Sequence, residues 1–448
     1  MQTSQTETLA FGGFLLDLRR RQLLSRSTGA PCALTGRPLE ALIYLATRPG
    51  ELVRKAELMH VIWDGFIVDE NSLAKCISTI RQALGERPSD NRYITTESGR
   101  GYRFVADVAA AEAADRGGQS RRLSSNPQAS QLYVSGWSAL TRPGGATLRR
   151  GIEQLEQAVA IDPQFALAHA CVAAGYALLG VFGVAAPREV FPRARAAALA
   201  ALAADETLAD AHAQLGHVYT MFTFDFASAD VCYRRALDLN PDCLVALHLM
   251  GLQALCAGNF DDAFRHFRRA QAVEPLAANV SANIAMAHYY AREYDRAIAQ
   301  AEATLELAPQ FAHAQSVLGR SWLRLGDVDR ALEIFRRRTG VTLGSAADVP
   351  AALAIGGRHA ESNLLLDELI AARIDRYVSA FDIATIYASQ GEVGGALEWL
   401  ETAYEERAQP IGVLGSDPAF EHLTSEPRFK ILLGKLGQRT GTSPAGPP

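Results

Sequence analysis

The stretch TTESGRGYRF, from Thr95 to Phe104, sets a glycine on each side of an arginine and follows the second glycine with tyrosine, arginine and phenylalanine. Glycine adopts positive φ without a steric cost, so two glycines two positions apart between β-prone runs predict a tight hairpin. Arg100 then lies near the hairpin tip, and Arg103 lies on the returning strand. This arrangement suits a phosphate-lined groove, but an ordinary solvated turn has the same pattern. The neighbouring sequence has to distinguish the two.

The segment before the hairpin predicts a helix with one apolar and one polar side. Between Asn71 and Gly85, apolar residues recur at i, i+4, i+7 and i+11, the spacing of a single buried stripe. They are Leu73, Ile77, Ile80 and Leu84. The opposite side carries side chains that form hydrogen bonds, namely Lys75, Ser78, Thr79 and Gln82. Such a helix packs on a core and presents a polar face outward.

Two further helices are predicted ahead of it. Residues 36–48 repeat apolar side chains at helical spacing, and this helix ends at Pro49-Gly50. Residues 54–63 show the same helical spacing of apolar side chains. The residues of the second helix expected to face inward are Leu58, Val61 and Ile62. Before these helices, apolar and basic residues around glycines favour short antiparallel strands. Strands, a helix-turn-helix and a hairpin wing form the α+β plan of a winged-helix DNA-binding domain.

Residues 9–107 resemble the OmpR/PhoB-type effector domain of transcription regulators. The residues that carry the resemblance are Trp63 at the end of the second helix, ISTIRQALG from Ile77 to Gly85, and GRGYRF from Gly99 to Phe104. The resemblance implies four N-terminal strands, a DNA-recognition helix at the third helix, and a wing. It also implies that Tyr102 and Phe104 pack beneath that wing.

Two departures from the family pattern affect the expected DNA contacts. Better-known members have two arginines where this chain has Ser78-Thr79, which implies a different sequence preference. Members often carry arginine ahead of the wing glycines, where this chain has Ser98, so Arg100 is the expected minor-groove probe. The expected base or backbone contacts are Lys75, Ser78, Thr79 and Gln82, and the expected phosphate or minor-groove contacts are Arg54, Lys55, Arg100 and Arg103. For each of them the alternative is a solvated surface residue.

The connection from Trp63 to Asn71 is both apolar and acidic. In activators of the resembled family this connection contacts RNA polymerase, so the resemblance implies polymerase as a partner. The residues concerned are Asp64, Phe66, Val68, Asp69 and Glu70. A purely structural loop is the alternative.

Charge and order along the chain suggest where regulation lies. The first 107 residues hold 14 Lys and Arg against 12 Asp and Glu, whereas the whole chain has a net charge of −5. This basic bias of the first part is mild. In response regulators of the resembled type a phospho-accepting receiver domain precedes the winged helix, but few residues precede it here. We therefore expect the regulating part to lie downstream.

A repeat begins after residues 108–130, which are rich in Ala, Gly, Ser and Arg and predict a flexible linker. Prolines that close a recurring A-x-x-x-x-x-L-D/E-x-x-P pattern recur every 34 residues from Pro241 to Pro309, which is the tetratricopeptide period. The matching L-G positions are Leu215-Gly216, Met250-Gly251 and Leu318-Gly319, and the matching small residues are Ala229, Ala263, Ala297 and Ala331. We predict an all-α solenoid of about eight helix pairs over residues 131–410. A capping helix and a disordered tail are expected over 411–448.

Such a solenoid lines its concave face with one helix of each pair. The residues expected there are His217, Met221, His248, Asn279, Met286, Tyr289, Tyr290, Arg320 and Arg324. This mixture suits a peptide or a small ligand. The alternative is the polar inner wall of a scaffold that binds nothing there.

Nothing in the sequence predicts catalysis, because HExxH, GxSxG, P-loop and βα-opening GxGxxG motifs are all missing. Six scattered cysteines without a CxxC motif fit reduced thiols in the cytosol. Histidines of the repeat helices, including His212, His217 and His248, are more often packing residues than ligands, so we predict neither a metal nor a cofactor. Residues 165–186 have the length of a membrane span, but their glycines and their register with the repeats favour a soluble helix.

The sequence therefore predicts a multidomain protein, with a winged helix over 1–107 followed by a tetratricopeptide solenoid. HilA-like regulators join the same two parts without a membrane span, and the chain resembles them. The predicted function is a cytoplasmic one-component transcription regulator that binds double-stranded DNA, RNA polymerase and a protein or peptide partner. Self-association is a further hypothesis. The alternative is a repeat scaffold for protein assembly in which the winged helix has little DNA-binding role.

Overall fold

The computed structural model describes residues 8–18, 22–25, 32, 34, 36–63, 70–86, 90, 92–97, 99–110, 123–140, 145–274, 277–340, 342 and 344–438. Two compact units divide the chain, residues 1–117 and residues 118–448. The described part of the first unit holds short strands and three helices, and that of the second consists of helices and their turns. The predicted fold class, a winged helix followed by a helical solenoid, is confirmed.

Three short strands open the first unit: Thr8–Phe11 (β1), Phe14–Asp17 (β2) and Gln22–Ser25 (β3). They form an antiparallel meander, in which β1 pairs with β2 and β2 pairs with β3. Phe11, Leu16 and Leu23 are at most 2% exposed, so one face of the meander lies on the core.

Three helices follow, Gly36–Ala46 (α1), Lys55–Trp63 (α2) and Glu70–Ala83 (α3), with the strand Leu52–Arg54 (β4) between the first two. The apolar stripe predicted for α3 is buried, because Leu73, Ile77, Ile80 and Leu84 are at most 2% exposed. The prediction for α2 was wrong at Val61, which is 45% exposed. Leu58 and Ile62 lie one turn apart and define the inward face, which leaves Val61 at its edge.

The wing is the hairpin of Ile94–Glu97 (β5) and Gly101–Phe104 (β6), and β6 also pairs with β4 on its other side. Its turn needs glycine, because Gly99 has a φ of +72°. Tyr102 is 6% exposed and Phe104 is fully buried, so both pack beneath the wing as the resemblance implied.

A further strand, Ala109–Ala110 (β7), pairs with β1 and completes a four-stranded sheet in the order β3-β2-β1-β7. The resemblance implied that all four strands precede the helices, whereas one strand of this sheet follows the wing. The predicted start of the linker, at residue 108, is therefore too early, because residues 109 and 110 belong to the sheet. Alanines carry no periodic signal, and only pairing with β1 makes them a strand.

The described part of the second unit begins with eight consecutive helix pairs. They are Pro127–Leu140 and Gly145–Ile161 (α4, α5), Ala166–Val181 and Pro187–Ala204 (α6, α7), Ala209–Val218 and Phe226–Leu239 (α8, α9), Leu244–Cys256 and Phe260–Val273 (α10, α11), Ala278–Tyr290 and Tyr294–Leu307 (α12, α13), Ala312–Arg324 and Val328–Arg337 (α14, α15), Asp348–Ile355 and His359–Ala372 (α16, α17), and Ala380–Ser389 and Val393–Glu406 (α18, α19). A π-helical turn, Tyr219–Thr223, extends α8. Since α4 begins at Pro127, the solenoid starts slightly before the predicted residue 131.

Close contacts within the pairs explain the small residues of the repeat. An added Cβ on Gly251 would lie 2.3 Å from a ring carbon of Phe267, and Gly319 faces Phe335 at the same distance. The predicted small residues Ala229, Ala263, Ala297 and Ala331 are all fully buried. No helix among the described residues is long and apolar enough to cross a membrane, and residues 166–181 form the repeat helix α6.

The chain beyond α19 forms two 3-10 helices, Ile411–Val413 and Pro418–Leu423, and then the helix Pro427–Lys435 (α20). The capping helix was predicted, but the two 3-10 helices were not. Apolar side chains of this region share one buried cluster with α18 and α19, including those of Ile411, Phe420 and Phe429. Residues 380–438 are therefore called the C-terminal body below.

Candidate functional site

The outward face of α3 carries the polar residues that the sequence singled out. Lys75, Ser78, Thr79 and Gln82 are all exposed. The Thr79 hydroxyl donates to the Lys75 carbonyl oxygen at 3.0 Å, which orients it along the helix. Cys76, next to this face, is buried, and burial raises the pKa of its thiol to about 12. The face therefore offers one cation and three small or amide side chains, while the thiol belongs to the core.

Two polar residues that the sequence analysis did not single out hold α3 against the wing. Arg81 Nη2 donates to the Ile94 carbonyl oxygen at 2.8 Å and to Thr96 Oγ1 at 2.9 Å, both on β5. Glu86, which is 5% exposed, accepts a hydrogen bond from the Tyr93 main-chain nitrogen at 2.8 Å. Arg81 lies beside the last turn of the apolar stripe and Glu86 follows it, but their partners lie on β5 or just before it, so periodicity could not reveal these contacts.

The two wing arginines differ in their surroundings. Arg103 Nη1 donates to the Gly50 carbonyl oxygen at 2.6 Å, and its guanidinium also forms an ion pair with Glu97. Arg100 is exposed in the turn, and its side chain forms no hydrogen bond or ion pair with the described residues. Arg103 therefore braces the wing, whereas Arg100 extends from it.

The end of β4 and the start of α2 add cations beside Arg100. Arg54 is exposed and lies opposite Gly101 in the β4–β6 pairing. The main-chain nitrogen of Lys55 donates to the Arg100 carbonyl oxygen at 3.3 Å. Residues predicted from separate parts of the sequence thus meet at one edge of the wing.

The predicted polymerase-contact residues cannot be placed in the same way. Asp64, Phe66, Val68 and Asp69 lie outside the described residues. Glu70 is the first residue of α3, and the structure does not describe its side chain.

The concave wall of the solenoid was expected to be an accessible groove, and this expectation was wrong for five of its residues. His217, Tyr289 and Tyr290 are 7%, 4% and 2% exposed. The methionines Met221 and Met286 are also buried, at 8% and 5%. Asn279 is exposed, while His248, Arg320 and Arg324 are intermediate. Part of the reason is that the C-terminal body covers the wall, which a repeat pattern does not encode.

Asn283 on α12 connects two histidines of the neighbouring inner helices α10 and α14 by hydrogen bonds. The amide nitrogen of Asn283 lies 2.6 Å from His248 Nε2, and its amide oxygen lies 3.0 Å from His313 Nε2. Burial lowers the pKa of His248 to about 4, and burial with nearby Arg320 lowers that of His313 to about 3. Neutral rings satisfy both contacts. No group of three or more metal-ligating side chains occurs among the described residues.

One aspartate of the second unit, Asp348, forms ion pairs with two arginines, of which Arg320 was predicted to lie on the wall. Asp348 accepts from Arg320 Nε at 2.6 Å and also forms an ion pair with Arg338. Arg324 has a longer contact, with its Nε 3.5 Å from the Tyr289 hydroxyl. The predicted wall residue Arg320 is therefore a structural member of an ion-pair network, and Asp348 and Arg338 were not foreseen because the repeat register blurs after residue 338.

Comparison with known proteins agrees with the division of the chain into a winged-helix unit and a repeat unit. Residues 29–104 match the family model "Transcriptional regulatory protein, C terminal", and residues 209–243 and 282–339 match models of the tetratricopeptide repeat. The chain is 37% identical over 70 residues to the cholera toxin transcriptional activator of Vibrio cholerae serotype O1, a match that covers 15% of this chain and 24% of that protein. It is 41% identical over 67 residues to the transcriptional regulator HilA of Salmonella typhimurium, with 15% and 12% covered.

Among solved structures, the Klebsiella pneumoniae RstA DNA-binding domain in complex with RstA box matches at 27% identity and a TM-score of 0.20, covering 22% of this chain and 97% of that one. The matches to the two curated relatives span at most 24% of those relatives' lengths.

Proposed function

We propose that this chain, which joins an OmpR/PhoB-type DNA-binding domain to tetratricopeptide repeats, is a cytoplasmic one-component transcription regulator. The winged helix binds promoter DNA, and the repeats bind a protein partner or an effector. The observation that carries the proposal is an exposed polar face on α3, a helix that Arg81 joins to β5 of the wing, in one unit with the wing-edge cations Arg54, Lys55 and Arg100. A scaffold that does not bind DNA has no need for this combination.

The wing-edge cations and the α3 face have different roles in the proposed DNA binding. Cations at the wing edge hold phosphates or enter the minor groove, which sets affinity and position but reads little sequence. The α3 face enters the major groove, where Gln82 suits adenine and Lys75 suits guanine. Ser78 and Thr79 make shorter contacts there. Arg103 acts mainly through the wing, because Glu97 and Gly50 already hold its guanidinium.

Genome-wide occupancy of the native protein tests DNA binding directly. We expect sharp promoter peaks that Arg100→Ala removes, because it deletes a wing cation that has no partner within the described residues. Arg150→Ala is the matched control, since Arg150 is an exposed arginine on α5 of the repeat unit. Absence of peaks for the native protein under several growth conditions would favour the alternative, a repeat scaffold.

Salt dependence on a recovered promoter separates phosphate contacts from base contacts. Log affinity against log salt concentration has a slope of about −0.9 per neutralised phosphate. Arg100→Ala and Arg54→Ala should each make the slope shallower by about one contact. Gln82→Ala should leave the slope unchanged and relax the preference at one base pair. A native slope near zero would contradict the proposal.

RNA polymerase is proposed as a partner on the family resemblance alone. The connection carrying Asp64, Phe66, Val68, Asp69 and Glu70 would contact it. Transcription in vitro with Phe66→Ala should lose activation while promoter binding is retained. Equal loss of binding and activation would instead indicate a structural loop.

Self-association is the second proposed property of the repeats. A single winged helix reads a short site, so two linked copies on tandem sites would gain specificity through avidity. Light scattering of the full chain with and without a two-site promoter fragment measures this. A monomer under both conditions would contradict it.

A further inference from the structure

The C-terminal body packs on the preceding pair α16–α17 through buried apolar side chains, including Ile383 and Ile386. It meets the earlier helices α7, α10 and α12 across a separate seam that contains several hydrogen bonds from long side chains to main-chain oxygens. Arg188 Nε donates to the Glu405 carbonyl oxygen at 2.6 Å, and Gln409 Nε2 donates to the Met221 carbonyl oxygen at 2.6 Å. Arg292 donates to the Ser416 carbonyl oxygen, and Gln438 Nε2 donates to the Cys256 carbonyl oxygen at 2.8 Å. The seam thus joins α7, the π-helical turn, α10 and the end of α12 to residues 405–438.

The core of the C-terminal body contrasts with this seam. Ala408, Ile411, Leu414, Phe420 and Leu423 are buried in one cluster with α18 and α19. Most of the large apolar side chains that follow α19 are therefore buried within the body itself. Val413 is the exception, because it belongs to the cluster of the central repeats.

The ring contacts across the seam are partly exposed to water. Phe224 stacks on Tyr404 with ring centroids 6.3 Å apart, and the Arg407 guanidinium lies over Phe224. A cavity of about 40 Å³ lies between the two sides, lined by Tyr289 and Arg324 on one and by Pro410 and Asp417 on the other. Interfaces of this polar, incompletely packed kind within a chain favour relative movement of their two sides.

We propose that the C-terminal body is a reversible latch on the repeat solenoid. In the closed form it covers the concave wall, including Tyr289 and Tyr290. Opening the seam exchanges its hydrogen bonds for bonds to water and leaves the core of the body intact. When the latch opens, a partner that binds the wall gains access to it. Only this consequence rests on the proposed function.

Labelling of buried thiols in the full chain measures the opening. Cys256 is 4% exposed and lies beneath Gly412, whereas Cys243 is 1% exposed in a cluster away from the seam. Burial raises the pKa of the Cys256 thiol to about 12, so it reacts only after exposure. We expect maleimide to modify Cys256 at least tenfold faster than Cys243, as resolved by peptide mass mapping. Equal rates would mean that Cys256 is exposed only by global unfolding, which would overturn the proposal.

Two variants separate the seam from the body. Gln409→Ala removes the bond to the Met221 carbonyl oxygen and should accelerate Cys256 labelling several-fold, with Cys243 unaffected. Glu401→Ala is the matched control, because it breaks an exposed ion pair with Arg428 that lies wholly within the C-terminal body. The same acceleration in both variants would contradict a specific latch, since it would indicate general loosening of the body.

An engineered disulfide that holds the seam closed tests the same movement by preventing it. A Cβ added at Gly412 would lie 3.8 Å from Cys256 Cβ and 3.0 Å from its sulfur, which is disulfide geometry. Oxidised Gly412→Cys should therefore hold the latch closed. Hydroxyl-radical footprinting should then modify Tyr289 and Tyr290 less than in the reduced form, with the fully buried Tyr233 as the internal reference.

Each outcome of the lock experiment decides the proposal. Failure of the disulfide to form would show that Gly412 does not lie against Cys256, which contradicts the closed seam. Identical footprints in the oxidised and reduced forms would show that the latch does not open. None of these measurements involves DNA, so loss of the DNA-binding proposal would leave them unchanged.

Discussion

Gly101 and Val53 approach so closely that a Cβ on Gly101 would lie 2.0 Å from the Val53 carbonyl oxygen. This contact joins the wing strand β6 to β4, immediately before the cations at the start of α2. No side chain fits between the two strands. The second glycine of the GRGYRF motif is therefore a packing requirement, whereas the first, Gly99, is a requirement of backbone conformation.

Replacement of Gly101 should unfold the wing. Gly101→Ala forces β6 away from β4 and should cost the first unit about 3 kcal/mol of stability, the range of overpacked sites. Hydrogen exchange of the β5 and β6 amides measures the loss. Gly13→Ala is the control, because no atom lies within 4 Å of its added Cβ. Equal protection in both variants would contradict the contact.

The two wing arginines should behave differently when removed. Arg103→Ala breaks the contacts to Glu97 and Gly50 and should destabilise the wing by about 1 kcal/mol, since the pair is partly exposed and screened by water. DNA affinity should fall with it. Arg100→Ala should lower DNA affinity alone. Comparing amide exchange with DNA titration for each variant checks this, and an unstable Arg100→Ala wing would contradict it.

The glycine–aromatic contact in the repeats predicts a coupled pair. Gly251→Ala places a methyl group against the Phe267 ring and should lower stability of the second unit by about 2 kcal/mol. Phe267→Leu removes the ring that the methyl group would meet. The double variant should therefore lose less stability than the two single variants lose in total. Gly434→Ala meets no atom within 4 Å and should be neutral. Simple additivity in denaturant unfolding would rule out the coupling.

Asp382 should make the second unit less stable at high pH. Its side chain is buried, and burial raises its pKa to about 7, while Oδ1 has no hydrogen-bond partner among the described residues. A carboxyl whose pKa is raised on folding contributes stability below its unfolded pKa of about 4, and this contribution is lost as pH rises through the folded value. Asp382→Asn should therefore stabilise the unit at pH 8 by about 4 kcal/mol and have no such effect near pH 4. Denaturant titrations at both pH values measure it; a larger gain at pH 4 would contradict the assignment.

Acid should weaken the same unit through one buried histidine and two half-buried ones. The pKa of His217 and of His248 is about 4 and that of His313 is about 3, all lowered first by burial. Their stabilising contribution is complete above the unfolded pKa of about 6.5 and is lost as pH falls toward the folded values. His313→Gln keeps a donor for Asn283 but cannot take up a proton, so it should flatten the stability profile between pH 6.5 and 4. An unchanged slope of unfolding free energy against pH would refute this.

The sequence by itself determined the winged helix and the repeats, because both depend on local patterns. The buried stripe of α3, the glycines of the wing and the 34-residue period each report contacts between neighbours in the chain. Only the tertiary structure decided which predicted residues are available. Glu97 and Gly50 engage Arg103, and the C-terminal body covers the wall. The bond from Gln409 to Met221 joins residues 188 positions apart, and no periodicity records a contact over that separation.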